Sequence, residues 1–147
     1  MVVGPGFFRE AVTTFLAHET NVAILGAVPL AQAVTAVRDT SPDIVVMEVA
    51  PQGDGALTVL RTLARLRPTV RAVLVCNYCS RDRIKAAIDA GAHACISGEG
   101  GSAKLIDAID VVRRGRHYLG PWIVAKMGDG HLLPLQQMRG PRRSQLV

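Results

Sequence analysis

Short apolar runs alternate with amphipathic helical patterns along most of the chain. The apolar runs predict buried strands, and they are Met1–Val3, Asn21–Gly26, Asp43–Val49, Val70–Cys76 and His93–Ser97. Helical periodicity predicts helices at Phe7–Ala17, Pro29–Asp39, Gly55–Leu66, Ser80–Ala90 and Ser102–Arg114. Strands that alternate with helices are typical of a parallel sheet wound by crossover helices. The pattern therefore predicts a doubly wound α/β domain with five parallel strands and helices on both faces.

Capping residues support these boundaries. Ser80 is placed to cap a helix at its amino end, and Pro29 suits a first helical turn. Gly91 and Gly115 each follow a helical pattern, where glycine commonly ends a helix. We therefore expect a domain over residues 1–115. Residues 116–147 are predicted to hold one short helix, within His117–Met127, and then a basic linker or tail.

Composition narrows the class of protein. The 147 residues are 49% hydrophobic and 20% charged, which suits one domain with an apolar core. No run approaches the roughly 18 apolar residues of a membrane span, and the start of the chain lacks an export signal. Three cysteines do not suggest a disulfide framework. These features predict a soluble, cytoplasmic protein with reduced thiols and no membrane partner.

Charge is distributed unevenly. Residues 1–112 hold 10 Lys and Arg against 11 Asp and Glu, whereas residues 113–147 hold 7 against 1. A basic tail suits either an acidic partner, nucleic acid included, or a solvated linker. The linker interpretation is favoured because most charge runs are simply solvated.

The functional edge of such a sheet is expected at the carboxyl ends of its strands, where ligands bind in doubly wound folds. In this sequence that edge comprises residues 3–6, 26–28, 48–54, 76–80 and 97–101.

Six short phrases occur in a characteristic order and spacing over about residues 2–123. They are Phe8-Arg9-Glu10, Ser41 to Met47, Asp54-Gly55, Val73 to Val75, Ala86 to Ala92 and Tyr118-Leu119. In this order the chain resembles the receiver domain of bacterial response regulators of the NarL/FixJ (LuxR-type) class. The resemblance implies a CheY-like, flavodoxin-like sheet in the order 2-1-3-4-5. It also implies a role in two-component signal transduction and transcription regulation.

The same resemblance implies where phosphotransfer residues would lie. The phosphoacceptor aspartate of the family falls on Glu48, whose carboxylate stands one methylene farther from the backbone. The acidic pair that holds Mg²⁺ falls on Val3 and Gly4, which offer no side-chain oxygen to a hard cation. The acceptor and the metal ligands are therefore both replaced.

Three further positions depart from the family pattern. The Ser or Thr that binds the phosphoryl group in the family falls on Cys76, a weak hydrogen-bond donor. The family's switch aromatic residue falls on Cys95, and its lysine falls on Gly98. The loop over residues 49–53 is one residue shorter than the pattern. We therefore expect an atypical, phosphorylation-independent receiver with no catalytic residue and no cofactor. Glu48 either mimics the charge of a phosphoaspartate or is an ordinary solvated acid, and the second interpretation is favoured.

The cysteines have other possible roles. Cys76 and Cys79 form a C-x-x-C pair, and His93 and Cys95 follow on the next strand, so zinc binding or thiol exchange is conceivable. Because Cys76 ends its strand and His93 begins one, we expect no shared metal. Buried, inert cysteines are favoured, with a redox pair at Cys76 and Cys79 as the alternative.

The loop from Gly98 to Gly101 precedes a helix, where backbone amides can bind a phosphate. A plain flexible turn is favoured, but a flavodoxin-like small-molecule binder or enzyme that uses this loop stays open as a third hypothesis. His18, His117 and His131 have no acid or nucleophile at a catalytic spacing, so an enzyme is not expected.

The last nine residues, from Arg139 to Val147, resemble the opening of a LuxR-type helix-turn-helix domain. We therefore expect DNA contact only through a carboxyl-terminal domain that this chain does not contain, so that the chain is either a truncated regulator or one that has lost its output. By resemblance, homodimerisation would use the fourth helix, fifth strand and fifth helix, and a small ligand is a possible signal. The alternative function is a stand-alone pseudo-receiver that acts as an interaction adaptor in signalling.

Overall fold

A single parallel sheet of six strands organises the computed structural model, which describes residues 1–128. The strands are β1 (Val2–Val3), β2 (Ala27–Val28), β3 (Ile44–Val49), β4 (Arg71–Cys76), β5 (Ala94–Ile96) and β6 (Tyr118–Leu119). Their order is β2-β1-β3-β4-β5-β6. The expected order of the first five strands is confirmed, and the predicted total of five is wrong because β6 extends the sheet beyond β5.

Six α-helices connect and cover the strands. They are α1 (Gly6–Leu16), α2 (Ala33–Thr40), α3 (Gly55–Leu66), α4 (Arg81–Asp89), α5 (Gly101–Arg113) and α6 (Pro121–Met127). Short 3-10 turns at Leu30–Gln32 and Gly98–Gly100 precede α2 and α5. The Ser80 hydroxyl accepts a hydrogen bond of 3.2 Å from the Arg83 amide, which confirms the predicted cap. None of the helices in residues 1–128 is long and apolar enough to span a membrane.

Two apolar cores lie on opposite faces of the sheet. Helices α2, α3, α4 and α6 cover one face, and α1 and α5 cover the other. Alternation along β3 serves both cores, since Val45 and Met47 belong to the first and Val46 belongs to the second. Strands buried on both faces produce the continuous apolar runs that the sequence shows. The predicted helices on both faces are therefore confirmed.

The second strand lies farther along the chain than predicted. Pairing is confined to Ala27 and Val28, opposite Val2 and Val3, and residues 22–26 form no strand. The apolar run at Asn21–Gly26 carries the right residues, but most of it lies beyond the amino end of β1 and has no neighbouring strand to pair with. A strand forms only where a partner backbone is present.

The segment after α5 also differs from its prediction. The predicted single helix at His117–Met127 is instead β6 followed by α6. Leu119, Ile123 and Met127 are all buried in the core, and the amide of Gly120 donates to the Cys95 carbonyl at 2.9 Å. The packed unit thus extends past residue 115, where the sequence suggested a boundary. The basic tail and the helix-turn-helix-like phrase, in residues 129–147, lie outside the described residues.

Candidate functional site at the carboxyl edge of the sheet

Parallel register brings the predicted site positions to one edge of the sheet. Across four neighbouring strands, Val3 pairs with Met47, Met47 pairs with Leu74, and Leu74 pairs with Cys95. Glu48 pairs with Val75 one step nearer the edge. The predicted positions therefore lie together at the carboxyl edge, and the chemistry of that edge depends on how its side chains are placed.

The two positions of the acidic pair are closed by apolar packing. Val3 is fully buried in the core. Gly4 is also buried, and a Cβ atom there would lie 2.7 Å from Cδ1 of Phe8, so the Phe8 ring occupies the space that a side chain would need. The side chains at these two positions do not fit a magnesium ion, because neither supplies an oxygen ligand and the Phe8 ring occupies the space of a side chain at position 4.

Glu48 is half-buried at the carboxyl end of β3. Within residues 1–128 its carboxylate makes no hydrogen bond or ion pair. A carboxylate without a cationic partner is the arrangement expected of a solvated acid. It gives no support to a charge held in place as a phosphoaspartate mimic.

Asn77 occupies the position next to Gly98, where the family has its lysine. Its side-chain Oδ1 accepts a hydrogen bond of 2.8 Å from the Gly98 amide, and a Cβ at Gly98 would lie only 2.5 Å from the same oxygen. A larger residue at position 98 would therefore displace Asn77. Sequence reasoning missed this residue, although its place directly after β4 was a usable signal.

Arg83 ties α4 to the loop between β3 and α3. Its Nε donates to the Ala50 carbonyl at 2.7 Å, its Nη2 donates to the Gly53 carbonyl, and its Nη1 lies 3.4 Å from Oδ1 of Asp54. The Arg83 side chain is only 13% exposed. The sequence did not single out Arg83, because nothing in the local pattern shows that it faces a loop about 30 residues away.

The three cysteines lie together beneath this edge, each almost fully buried. A hydrogen bond from Cys79 lowers the pKa of Cys76, but a hydrogen bond with Cys95 and burial outweigh it and raise that pKa overall. The hydrogen bond with Cys76, together with burial, raises the pKa of Cys79. Thiols that stay protonated react slowly, which favours the inert interpretation over the redox pair.

His93 lies at the opposite end of the sheet from Cys76, as the strand directions predicted. Its Nδ1 accepts a hydrogen bond of 3.0 Å from the amide of Ala72, and its ring stacks on His117 with 5.4 Å between the ring centres. Within residues 1–128 no group of three or more His, Cys, Asp or Glu side chains is arranged to hold a metal ion.

The glycine-rich loop before α5 uses its own amide groups. The Gly98 amide bonds to Asn77, the Glu99 amide to the Ser97 hydroxyl at 3.2 Å, and the Gly101 amide to the Gly98 carbonyl. Gly101 has φ +71°, a left-handed conformation that glycine tolerates. Amides that are already paired cannot cradle an anion, so the geometry favours the turn over a phosphate site.

The face formed by α4, β5 and α5 is partly covered by the chain itself. β6 pairs with the outer edge of β5, and α6 packs beside α4, where the Arg81 guanidinium donates to the Met127 carbonyl at 3.0 Å. Within the described residues, β5 therefore offers no free strand edge to a partner.

Known proteins share this architecture. The response regulator GacA of Pseudomonas viridiflava is 28% identical over 121 residues, which are 81% of this chain and 56% of that protein. A two-component response regulator of the LuxR family from Aurantimonas superposes with a TM-score of 0.78 at 24% identity, covering 86% of this chain and 92% of that one. Residues 1–128 have the fold of response-regulator receiver domains.

A second solved receiver domain matches as closely in shape. The receiver domain of RcsB from Salmonella enterica serovar Typhimurium, determined with the phosphomimetic BeF3-, gives a TM-score of 0.77 at 11% identity and covers 86% of this chain and 96% of that one. No protein-family model matches the chain. The matched residues span little more than half the length of GacA, to which the chain is similar.

Proposed function

We propose that this receiver domain is the regulatory part of an atypical response regulator that controls transcription without being phosphorylated. The observation that carries the proposal is the closed acidic position: Val3 is buried and the ring of Phe8 fills the space beside Gly4. Without side-chain oxygens at positions 3 and 4 to hold a divalent cation, phosphotransfer to a carboxylate at this edge lacks its charge-neutralising partner. Glu48 and the Asn77–Gly98 contact support the same conclusion.

The output of the protein is proposed from its relatives. GacA is named a response regulator, the Aurantimonas protein belongs to the LuxR family, and dimers of RcsB have been solved on DNA. By analogy, this chain would act in two-component signalling, form a homodimer and reach DNA through a domain outside this sequence. Because β6 covers the edge of β5, a dimer on the α4–β5–α5 face would have to use the outer surfaces of the two helices.

The decisive experiment is an amide NMR titration of the protein with Mg²⁺ and beryllofluoride, which mimics an acyl phosphate. We expect the resonances of residues 48, 76 and 98 to stay unchanged. The matched variant Glu48→Asp supplies the missing aspartate without the metal ligands, and it is also expected to give no shifts. Shifts centred on residue 48 in the unmodified protein would show a working pocket and overturn the proposal.

A second candidate function is a stand-alone interaction adaptor. Two exposed aromatic rings favour it, since Phe7 is 86% exposed and Tyr78, beside the carboxyl edge, is 81% exposed. Exposed rings of this size are enriched in protein interfaces. A helix-turn-helix coding sequence directly after Val147 would decide in favour of the transcription regulator.

A further inference from the structure

Two turns at the amino end of the sheet, opposite the edge described above, are rich in arginine. One turn follows α3 and leads into β4, and the other follows α5 and leads into β6. Because β4, β5 and β6 are parallel neighbours, both turns lie at the same end of the sheet. Their arginines, which we call the arginine face, are Arg67, Arg71, Arg114 and Arg116. Arg71 is half-buried and the other three are exposed.

Contacts between the strand starts bring the two turns together. The amide of Ala72 on β4 donates to Nδ1 of His93, directly ahead of β5, at 3.0 Å. The guanidinium of Arg71 reaches the turn after α5, since a Cβ at Gly115 would lie 3.7 Å from Nη2 of Arg71. Gly115 stands between the two arginines of that turn. The side chain at the start of β4 therefore joins the two turns into one surface.

The four guanidinium groups have no acidic partner in the described part of the chain. Within residues 1–128 none of them makes an ion pair or a side-chain hydrogen bond. Asp43 and Asp110 line a cavity together with Arg71, but neither pairs with it. Asp110 is held in an ion pair within α5, and Asp89 in one within α4. The arginine face therefore keeps both its positive charge and its N–H donors.

Two histidines beside the face respond to its charge. The rings of His93 and His117 stack with 5.4 Å between their centres. Burial is the largest cause that lowers the pKa of both, and the charge of Arg71 contributes to lowering each. This positive charge, felt at two neighbouring rings, agrees with the lack of an ion pair at Arg71 among the described residues.

All four cations are arginines, and arginine suits phosphate groups. A guanidinium presents its N–H donors in a planar fork that matches two oxygens of one phosphate, and it stays charged at every physiological pH. β4 and β6 are separated by β5, hence by two strand spacings or roughly 9.6 Å. The two turns can therefore hold separate phosphates of one backbone.

A nucleic-acid backbone fits the face better than a membrane surface does. Binding to a membrane surface combines basic side chains with apolar and aromatic ones that enter the lipid. The two most exposed aromatic rings of the described residues, Phe7 and Tyr78, lie at the opposite edge of the sheet. Basic side chains that contact phosphates alone are typical of binding that does not depend on base sequence.

We propose that the arginine face binds the phosphate backbone of double-stranded DNA and so gives this domain a DNA contact of its own. The choice of DNA among polyanions rests on the proposed role in transcription. The face lies at the opposite end of the sheet from Glu48, and its test involves neither Mg²⁺ nor beryllofluoride. Failure of this test and failure of the phosphorylation-independent mechanism are therefore separate results.

The test measures fluorescence anisotropy of a short labelled DNA duplex of arbitrary sequence, titrated with the full chain at several salt concentrations. Arg114→Gln/Arg116→Gln removes two charges from the face, and the matched control Arg38→Gln/Lys126→Gln removes two exposed charges elsewhere. Each phosphate contact contributes about 0.9 to the slope of log affinity against log salt concentration. We expect the face variant to bind more weakly and its slope to shrink by about 1.8, whereas the control keeps the parent slope.

All of these proteins keep residues 129–147 unchanged, so any contribution of that basic segment cancels in the comparison. Arg67→Gln, added to the face variant, tests the turn after α3 and should shrink the slope by about a further 0.9. Equal losses in the face variant and the control would assign the binding to net charge and overturn the proposal. A parent chain that does not bind the duplex at low salt would overturn it as well.

Vesicles of anionic phospholipid form the second arm of the test. At the same salt concentration we expect the parent chain to bind the duplex more tightly than the vesicles. Tighter binding to vesicles that is lost in Arg114→Gln/Arg116→Gln would assign the face to a membrane surface and contradict the choice of DNA.

Discussion

Asn77 and Gly98 hold the loops after β4 and β5 together through one hydrogen bond of 2.8 Å. A Cβ at position 98 would meet Asn77 Oδ1 at 2.5 Å, so Gly98→Ala should force the amide side chain away and lose that bond. We expect Gly98→Ala and Asn77→Ala each to lower the free energy of unfolding by about 1 kcal/mol. Because both substitutions remove the same contact, the double variant should lose clearly less unfolding free energy than the sum of the two single losses.

Urea unfolding of the four proteins measures this cycle. If the two losses of unfolding free energy add, the two residues act separately, and Asn77 does not fill the space that a side chain at position 98 would need.

The histidine pair makes stability depend on pH. Burial is the largest cause that lowers the pKa of His93 to about 4, and the charges of His117 and Arg71 add to it. Burial and the charge of Arg71 also lower the pKa of His117. Both folded pKa values lie below the unfolded value near 6.5, so stability is complete above pH 6.5 and falls as the pH drops toward 4. For these partly exposed rings we expect a loss of about 1 kcal/mol between pH 7.5 and 5.

Urea unfolding at pH 7.5 and pH 5 tests whether stability falls as the pH drops. His93→Gln should make the free energy of unfolding depend less on pH. His18→Gln, at an exposed position after α1, is the matched control and should leave it unchanged. A protein that is more stable at pH 5 than at pH 7.5 would contradict the assignment.

At the residue scale, the resemblance predicted which family positions carry other residue types here, but not which residues make the contacts at that edge. Val3, Gly4, Glu48 and Gly98 were assigned by the resemblance to the receiver family, and the predicted strand ends place them at one edge of the sheet. Asn77 and Arg83 could not be assigned in this way, because their roles depend on loops about 20 to 30 residues away in the chain. Long-range contacts of single side chains leave no periodic signal.

At the scale of elements, Arg83 joins α4 to the loop over residues 50–54. Arg83→Gln keeps much of the stem but loses the charged fork that binds two backbone carbonyls. We expect a loss of roughly 1–2 kcal/mol in unfolding free energy and faster amide exchange in the loop. Lys85→Gln is the matched control on the same helix, since its pair with Asp89 is more than half exposed and such surface pairs contribute little to stability.

Hydrogen exchange by NMR, read residue by residue, separates the two variants. Equal exchange rates for residues 52–54 in Arg83→Gln and the parent protein would show that the loop is held by its own structure rather than by α4.

Element prediction succeeded where an element is long enough to show its period. β3, β4 and α3 were found within one residue of their observed bounds. β2 was predicted at residues 21–26 instead of Ala27–Val28, and β6 was not predicted, because where such short strands form depends on pairing with a neighbour. A strand of that length has no alternation of its own.

At the scale of the whole molecule, β6 and α6 complete the fold. A chain ending at Gly115 would lose Leu119, Ile123 and Met127 from the core, and it would uncover the edge of β5. Burial of three such side chains is worth on the order of 4 kcal/mol or more, so this chain should be far less stable than one ending at Gly128. Urea midpoints of the two truncated proteins provide the comparison, and equal midpoints would place the true boundary at residue 115.

The sequence by itself determined the architecture, since apolar runs and helical periods are local properties that recur along the chain. It also determined that positions 3, 48 and 76 lie at one edge of the sheet, because parallel strands end together. Only the tertiary structure decided that Phe8 fills the space beside Gly4, that Asn77 meets Gly98 and that residues 21–25 lack a partner strand. Each of these depends on atoms brought together from distant or differently directed segments, and no local pattern encodes such a distance.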